Sequence, residues 1–148
     1  MAKSGISWST RPTALAARIK NVERDLEEEV RYIIEDEIEI AANEMRNSIE
    51  TRGTGYVSPT GSAPLSLRQS GRVEDGRMLD AVDSGMVSPR AGRFGWGIRQ
   101  GDVPDYFLEQ EYDVTVGGHP PMHALTDAWI GARERYIARV RRLVTGKG

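Results

Sequence analysis

Thr13 to Ile49 reads TALAARIKNVERDLEEEVRYIIEDEIEIAANEMRNSI. Its apolar residues are Leu15, Ile19, Val22, Leu26, Val30, Ile33, Ile34, Ile38, Ala41, Met45 and Ile49, recurring mostly every three or four positions. That is the period of one face of an amphipathic α-helix. Neither Gly nor Pro interrupts the run. Pro12 and Thr13 suit its start, with Thr13 as the N-cap, and Thr51-Arg52-Gly53-Thr54-Gly55 supplies its stop. At about 1.5 Å per residue the helix spans on the order of 50 Å, more than a compact domain of this chain length needs. Such a helix either kinks, or projects and packs on another chain. The clusters Ile33-Ile34 and Ile38-Glu39-Ile40 widen the stripe in the middle, where a sheet is expected to meet it. A coiled coil is the weaker reading, because the heptads are not clean at both ends.

Outward from this helix, residues 1–12 read as an irregular N-terminal arm, with Ile6 and Trp8 available for docking. Gly53 to Gly76 is rich in Gly, Ser, Thr and Pro and holds few apolar anchors, so it is expected as a long functional or assembly-ordered loop. Two strands are expected next: Leu79 to Val87, a turn at Ser88 to Arg93, then Phe94 to Arg99, where Phe94, Trp96 and Ile98 alternate on one face. Pro104 to Tyr112 suits a short helix with Pro near its start. Asp113 to Gly118 reads as a short strand or loop. After Pro120-Pro121 a second amphipathic helix is expected from Met122 to Val144, with the stripe Met122, Leu125, Trp129, Ala132, Tyr136, Val140 and Leu143 or Val144. Its arginine-rich last turns suit the negative end of the helix dipole.

The length of 148 residues favours one domain, taken as residues 13–148 with the loop at about 53–76. The expected class is α+β, with a long N-terminal amphipathic helix and a C-terminal helix packed on a small antiparallel β-sheet. Trp96, Tyr106, Phe107 and Trp129 are expected to meet the first helix in one core.

Composition excludes several chemistries. The chain contains no cysteine, which removes disulfides, thiolate metal sites and cysteine nucleophiles. No run of about 18 apolar residues is present, so no membrane span is expected. No charged segment followed by an apolar core opens the chain, so synthesis in the cytoplasm is expected. His119 and His123 lie four apart, but Pro120-Pro121 separates them and no Glu stands between. Asp36 with Glu39, and Asp80 with Asp83, have the spacing of ordinary solvated charge. Gly53-Thr54-Gly55 and Gly95-Trp96-Gly97 lack the Gly-Lys-Ser/Thr of a phosphate loop, and no Gly-x-Ser-x-Gly elbow occurs. The expectation is therefore no catalytic, cofactor-binding or metal-binding residue, no cofactor and no enzyme activity.

Charge is unevenly placed beneath a net of −2. Between Val22 and Glu50, Glu23, Asp25, Glu27, Glu28, Glu29, Glu35, Asp36, Glu37, Glu39, Glu44 and Glu50 face only Arg24, Arg31 and Arg46. From Gly131 onward, Arg133, Arg135, Arg139, Arg141, Arg142 and Lys147 face only Glu134. These blocks are either solvated faces or partners, within one chain or between copies.

Three stretches resemble the tail-component (tail-completion or neck) proteins of long-tailed bacteriophages. Asp75-Gly76-Arg77-Met78-Leu79-Asp80-Ala81-Val82 resembles that family's Thr-Gly-Arg-Leu-x-x-Ser-Ile segment, after a long helix and a Gly/Pro-rich loop. Tyr106-Phe107-Leu108-Glu109-Gln110-Glu111-Tyr112 resembles its Tyr-Ala-x-x-x-Glu-Phe-Gly segment. Pro120-Pro121-Met122-His123-Ala124-Leu125-Thr126-Asp127-Ala128-Trp129 resembles its Pro-Phe-Leu-x-x-Ala opening of the last helix. Asp75 departs from the usual Thr and Asp113 from the usual Gly.

The resemblance implies a non-enzymatic structural protein of the head-tail junction, located in the virion neck or tail. It implies copies of itself in a ring and neighbouring neck and tail proteins as partners. DNA passing through the channel would be met without sequence-specific binding, and no membrane is involved. A heterologous head-to-tail interface would generate the ring. Candidate inter-subunit contacts are Arg77, Tyr106, Phe107, Arg139, Arg141 and Arg142, with the acidic helix against the basic tail as one element. Competing readings are a tail terminator or head-tail stopper, a small cellular α+β enzyme or toxin, and a DNA-contacting packaging protein.

Overall fold

The computed structural model describes residues 12–52, 61–64, 76–99, 101–112 and 121–146. The expected N-terminal arm before Pro12, most of the long loop, the expected segment Asp113 to Gly118, and His119 lie outside the described residues.

Helix α1 runs uninterrupted from Pro12 to Thr51, 40 residues and about 60 Å. Pro12 occupies the helical start that its fixed φ favours. Thr13 lies inside the helix and is not its cap. At the far end the Arg52 amide donates to the Ser48 carbonyl at 2.8 Å, and the Thr51 hydroxyl to that of Asn47 at 2.8 Å.

Burial divides α1 in two. Every residue from Thr13 to Glu29 is exposed, whereas Ile33, Ala41, Ala42, Met45 and Ile49 are buried. The division follows from what lies alongside. Helix α2 (Arg77–Asp80), the hairpin of β1 (Asp83–Ser88) and β2 (Ala91–Gly95) and helix α4 (Ala124–Val144) pack on α1, chiefly over its C-terminal half, and α3 (Tyr106–Tyr112) packs on α4. The class is α+β, as expected, with a two-stranded antiparallel sheet.

Helix α4 lies antiparallel to α1. Arg52 pairs with Asp127 at one end of the contact, and Asp36 with Arg139 at the other. Ala124, Ala128 and Ala132 are the buried residues of α4, spaced one turn apart on one face. Such small side chains let two helix axes approach closely. The expected stripe through Leu125, Trp129 and Tyr136 is therefore turned aside, and Trp129 is 58% exposed. Trp129 is not a core residue. Because alanine occupies the contact face, the larger side chains fall on the adjoining one, toward the hairpin.

The strands differ from expectation. Leu79 and Asp80 belong to α2, which opens from Gly76 in a left-handed conformation with φ 84°. The second strand covers Ala91–Gly95 rather than Phe94 to Arg99. Positive φ at Gly95 and Gly97 turns the chain there, so Trp96 and Ile98 alternate in sequence without continuing the strand. The register pairs Asp83 with Gly95, Ser84 with Phe94, Gly85 with Arg93 and Met86 with Gly92, then shifts so that Ser88 meets Ala91. Arg46 on α1 holds the hairpin entry by donating to the Val82 carbonyl at 2.8 Å.

The core cluster joins Met45, Ile49, Met78, Val82, Phe107 and Met122 to the helix alanines. Trp96 packs on Phe107 at 5.4 Å between ring centroids and donates its indole N–H to the Met78 carbonyl at 3.0 Å. Ala63, from the loop after α1, is also buried in this cluster.

Candidate functional site

Two features are uncovered among the described residues: the N-terminal half of α1 and a groove beside it. On α1, Leu15, Ile19, Val22 and Leu26 form an apolar stripe and are 42–58% exposed. Helix α4 ends at Val144, five residues past Arg139, so it runs out before it reaches them. Of the acids near this stripe, Glu27 pairs with Arg90 and Asp25 with Arg24. Glu23 and Glu29 have no ion-pair partner among the described residues.

The groove lies between α1, β2 and α4 and encloses about 770 Å³. Ile34 and Ile38 form one wall, Leu125, Trp129 and Tyr136 the other, with Phe94 from the hairpin between them. Its depth depends on Gly92. A Cβ at that position would stand 2.8 Å from Ile38 Cδ1 and 3.0 Å from Ile34 Cγ2, so glycine lets the strand rest on the helix. Arg90, Arg93 and Arg133 rim the groove. Arg90 is engaged by Glu27, whereas Arg93 and Arg133 have no ion-pair partner among the described residues.

Below the groove an ionic clamp fastens α4 to α1. Glu37 is buried and its carboxylate accepts from Arg135 Nε at 2.7 Å and Arg139 Nη1 at 3.1 Å. Arg135 Nη1 also reaches Glu44 at 2.9 Å, and Arg139 Nη1 reaches Asp36 at 3.1 Å. Burial opposes the charged form of both guanidinium groups, but the hydrogen bonds and charges of Glu37, Glu44 and Asp36 together outweigh it. Both arginines are held above the ordinary arginine range. Arg135 and Arg139 follow Ala128 and Ala132 on the same helix face, so the face that begins in apolar contact ends in charge pairing.

A second buried carboxylate sets the start of α4. Glu111 on α3 is fully buried and accepts from the Leu125 amide at 2.9 Å, the Thr126 amide at 3.0 Å and the Thr126 hydroxyl at 2.9 Å. His123, at the N-cap position, is left-handed (φ 52°) and makes no side-chain cap. Glu111 therefore supplies from another helix the acceptor that the first turn lacks, where the dipole favours negative charge.

The residues singled out as inter-subunit contacts divide into distinct surroundings. Phe107 is fully buried, and its ring belongs to the subunit's own core. Tyr106 stacks edge-on against it at 4.8 Å and is partly exposed. Arg139 is held by Asp36 and Glu37 of the same chain. Arg77 is exposed at the start of α2, and Arg141 and Arg142 are exposed in the last turn of α4. The acidic helix and the basic tail thus meet within one chain at Arg135 and Arg139. Sequence reasoning missed Glu37, Glu111 and Arg135 as partners because each acts across helices distant in sequence. A heavy share of Ala among the turns of α4 was the available signal for its contact face.

Among the described residues, no group of three or more His, Cys, Asp or Glu stands close enough to hold a metal ion. No described helix is long and apolar enough to cross a membrane. Compared with protein-family models, with curated proteins and with solved structures, the chain matches none.

Proposed function

We propose that this chain is a non-enzymatic structural subunit that works as one of several copies in a symmetric ring at the head-tail junction of a long-tailed bacteriophage, where it completes or joins the tail. The observation that carries the self-assembling part is the N-terminal half of α1, an amphipathic helix whose apolar stripe is exposed among the described residues. A helix of this length and composition draws most of its stability from packing, so an exposed stripe marks a surface meant for a partner. The three motif stretches supply the phage neck context. In this reading the chain is made in the host cytoplasm and ends in the virion. Its partners are its own copies and neighbouring neck and tail proteins, with DNA passing through the ring unread.

The test is the solution mass of the purified chain, alone and mixed with a tail-tube or connector protein. A ring that forms alone or on mixing is the expected result. A monomer that ignores every tail and connector partner would sink the reading.

A further inference from the structure

We propose that the stripe Leu15, Ile19, Val22 and Leu26 of one copy lies in the groove between β2 and α4 of a second copy, with Glu23 and Glu29 against that copy's Arg93 and Arg133. This rests on the reading of the chain as a self-assembling subunit and names the surfaces that it joins.

The stripe cannot enter its own groove. Helix α1 is continuous and itself forms one wall at Ile34 and Ile38. Leu26 stands about 12 Å farther along the same axis than Ile34, and the rest of the stripe farther still. If this stripe fills such a groove, the groove therefore belongs to another copy.

The two surfaces also match in spacing. Leu15, Ile19, Val22 and Leu26 follow one another at intervals of four, three and four. Leu125, Trp129 and Tyr136 line the groove from α4 at the first, second and fourth positions of the same pattern, with buried Ala132 at the third against α1. Each row is about 16 Å long. Helix faces of equal period interdigitate along their full length.

Charge completes the fit. Glu23 lies one turn beyond Ile19, and Glu29 lies three residues beyond Leu26, so both border the stripe. Arg18 borders it too, toward the N-terminal end of α1. Arg93 and Arg133, without an ion-pair partner among the described residues, rim the groove. Opposite potentials of this kind set register and hasten encounter. Because arm and groove are different patches of one chain, repeating the contact head to tail builds a ring where the rotation between copies closes, and an open filament where it does not.

The 148-residue chain has no cysteine, so single cysteines report contacts without background. Chains carrying Ile19→Cys are mixed with chains carrying Trp129→Cys and oxidised. The expected product is a disulfide-linked pair formed in the mixture and not by either chain alone. In parallel, the solution mass is measured for the unaltered chain, Ile19→Asp and Trp129→Asp, with circular dichroism to confirm the fold. Both residues are about half exposed, so the subunit itself keeps its structure. The expected result is an oligomer that each substitution reduces to monomer, with Arg133→Glu weakening it and Glu29→Arg in the same chain restoring part of the loss.

An oligomer that survives both substitutions overturns the docking while leaving the ring reading standing. A dimer dispersed by both, formed by mutual exchange of arms, supports the docking and removes the ring. Cross-linking by Ile19→Cys chains alone shows arm against arm and overturns the docking, as does a chain that stays monomeric and gives no mixed cross-link.

Discussion

From Val30 to Thr51, α1 buries Ile33, Ala41, Ala42, Met45 and Ile49; from Thr13 to Glu29 the same helix leaves Leu15, Ile19, Val22 and Leu26 in solvent. The apolar period is the same in both halves, and no break in the helix separates them. Only the neighbours differ. Helix α4 and the hairpin strands cover the second half, whereas the first is reached by Arg90 of the hairpin turn, which pairs with Glu27. Amphipathic spacing therefore says which face of a helix wants cover but not which molecule provides it.

The sharpest way to break this comparison is to truncate one apolar side chain in each half. Met45 is fully buried against the core, and Met45→Ala should cost about 2–5 kcal/mol of subunit stability. Leu26→Ala should change the stability of the isolated subunit by less than about 0.5 kcal/mol, since the side chain is already in water. Denaturant unfolding under monomeric conditions measures both. Equal losses would mean that the arm is packed on its own domain.

The ionic clamp offers a second contrast on the same two helices. Glu37→Ala would leave Arg135 and Arg139 partly buried with one carboxylate fewer each, and about 2–3 kcal/mol should be lost in the same assay. Arg142→Ala, in the exposed last turn of α4, should cost almost nothing. Neither arginine of the clamp should add pH dependence near neutrality. A cation whose folded pKa is raised stabilises the fold fully below its unfolded value, and the effect fades only as pH climbs past that already alkaline point.

A more modest effect than those of Met45 and Glu37 concerns the groove floor. Gly92→Ala places a methyl group against Ile38, Ile34 and the Met86 sulfur, and should lower stability by about 1–2 kcal/mol as the hairpin lifts from α1. If the groove receives the arm of another copy, the same substitution should also weaken oligomers, which the solution mass reports. A stable variant that still assembles would separate the groove from assembly.

Much of this architecture is legible in the residues. The apolar period of Thr13 to Ile49, free of Gly and Pro, specifies one long helix, and the structure has it from Pro12 to Thr51. Tyr106–Tyr112 and Ala124–Val144 follow from the same kind of signal, each starting two residues later than expected. The strands were less legible, because Gly95 and Gly97 interleave with Phe94, Trp96 and Ile98 to imitate strand alternation while bending the backbone. The candidate site was legible in part. The stripe on α1 can be read directly, whereas the groove needs β2 and α4 to be set on α1, which no local pattern states.

What the sequence by itself determined was local. It set helix lengths and apolar faces, the absence of cysteine chemistry, and the gathering of acids on the first helix and arginines on the last. Only the tertiary structure decided which surfaces those faces meet. Trp129 and Ala132 both lie on the predicted stripe of α4, yet alanine meets α1 and tryptophan faces the open groove, because close helix packing selects the smaller side chain. Glu37 and Glu111 are two acids among many in the chain, and they became structural because the fold brought two guanidinium groups to one and a helix start to the other. Burying a carboxylate is costly without such partners, and those partners are supplied by residues far away in the chain.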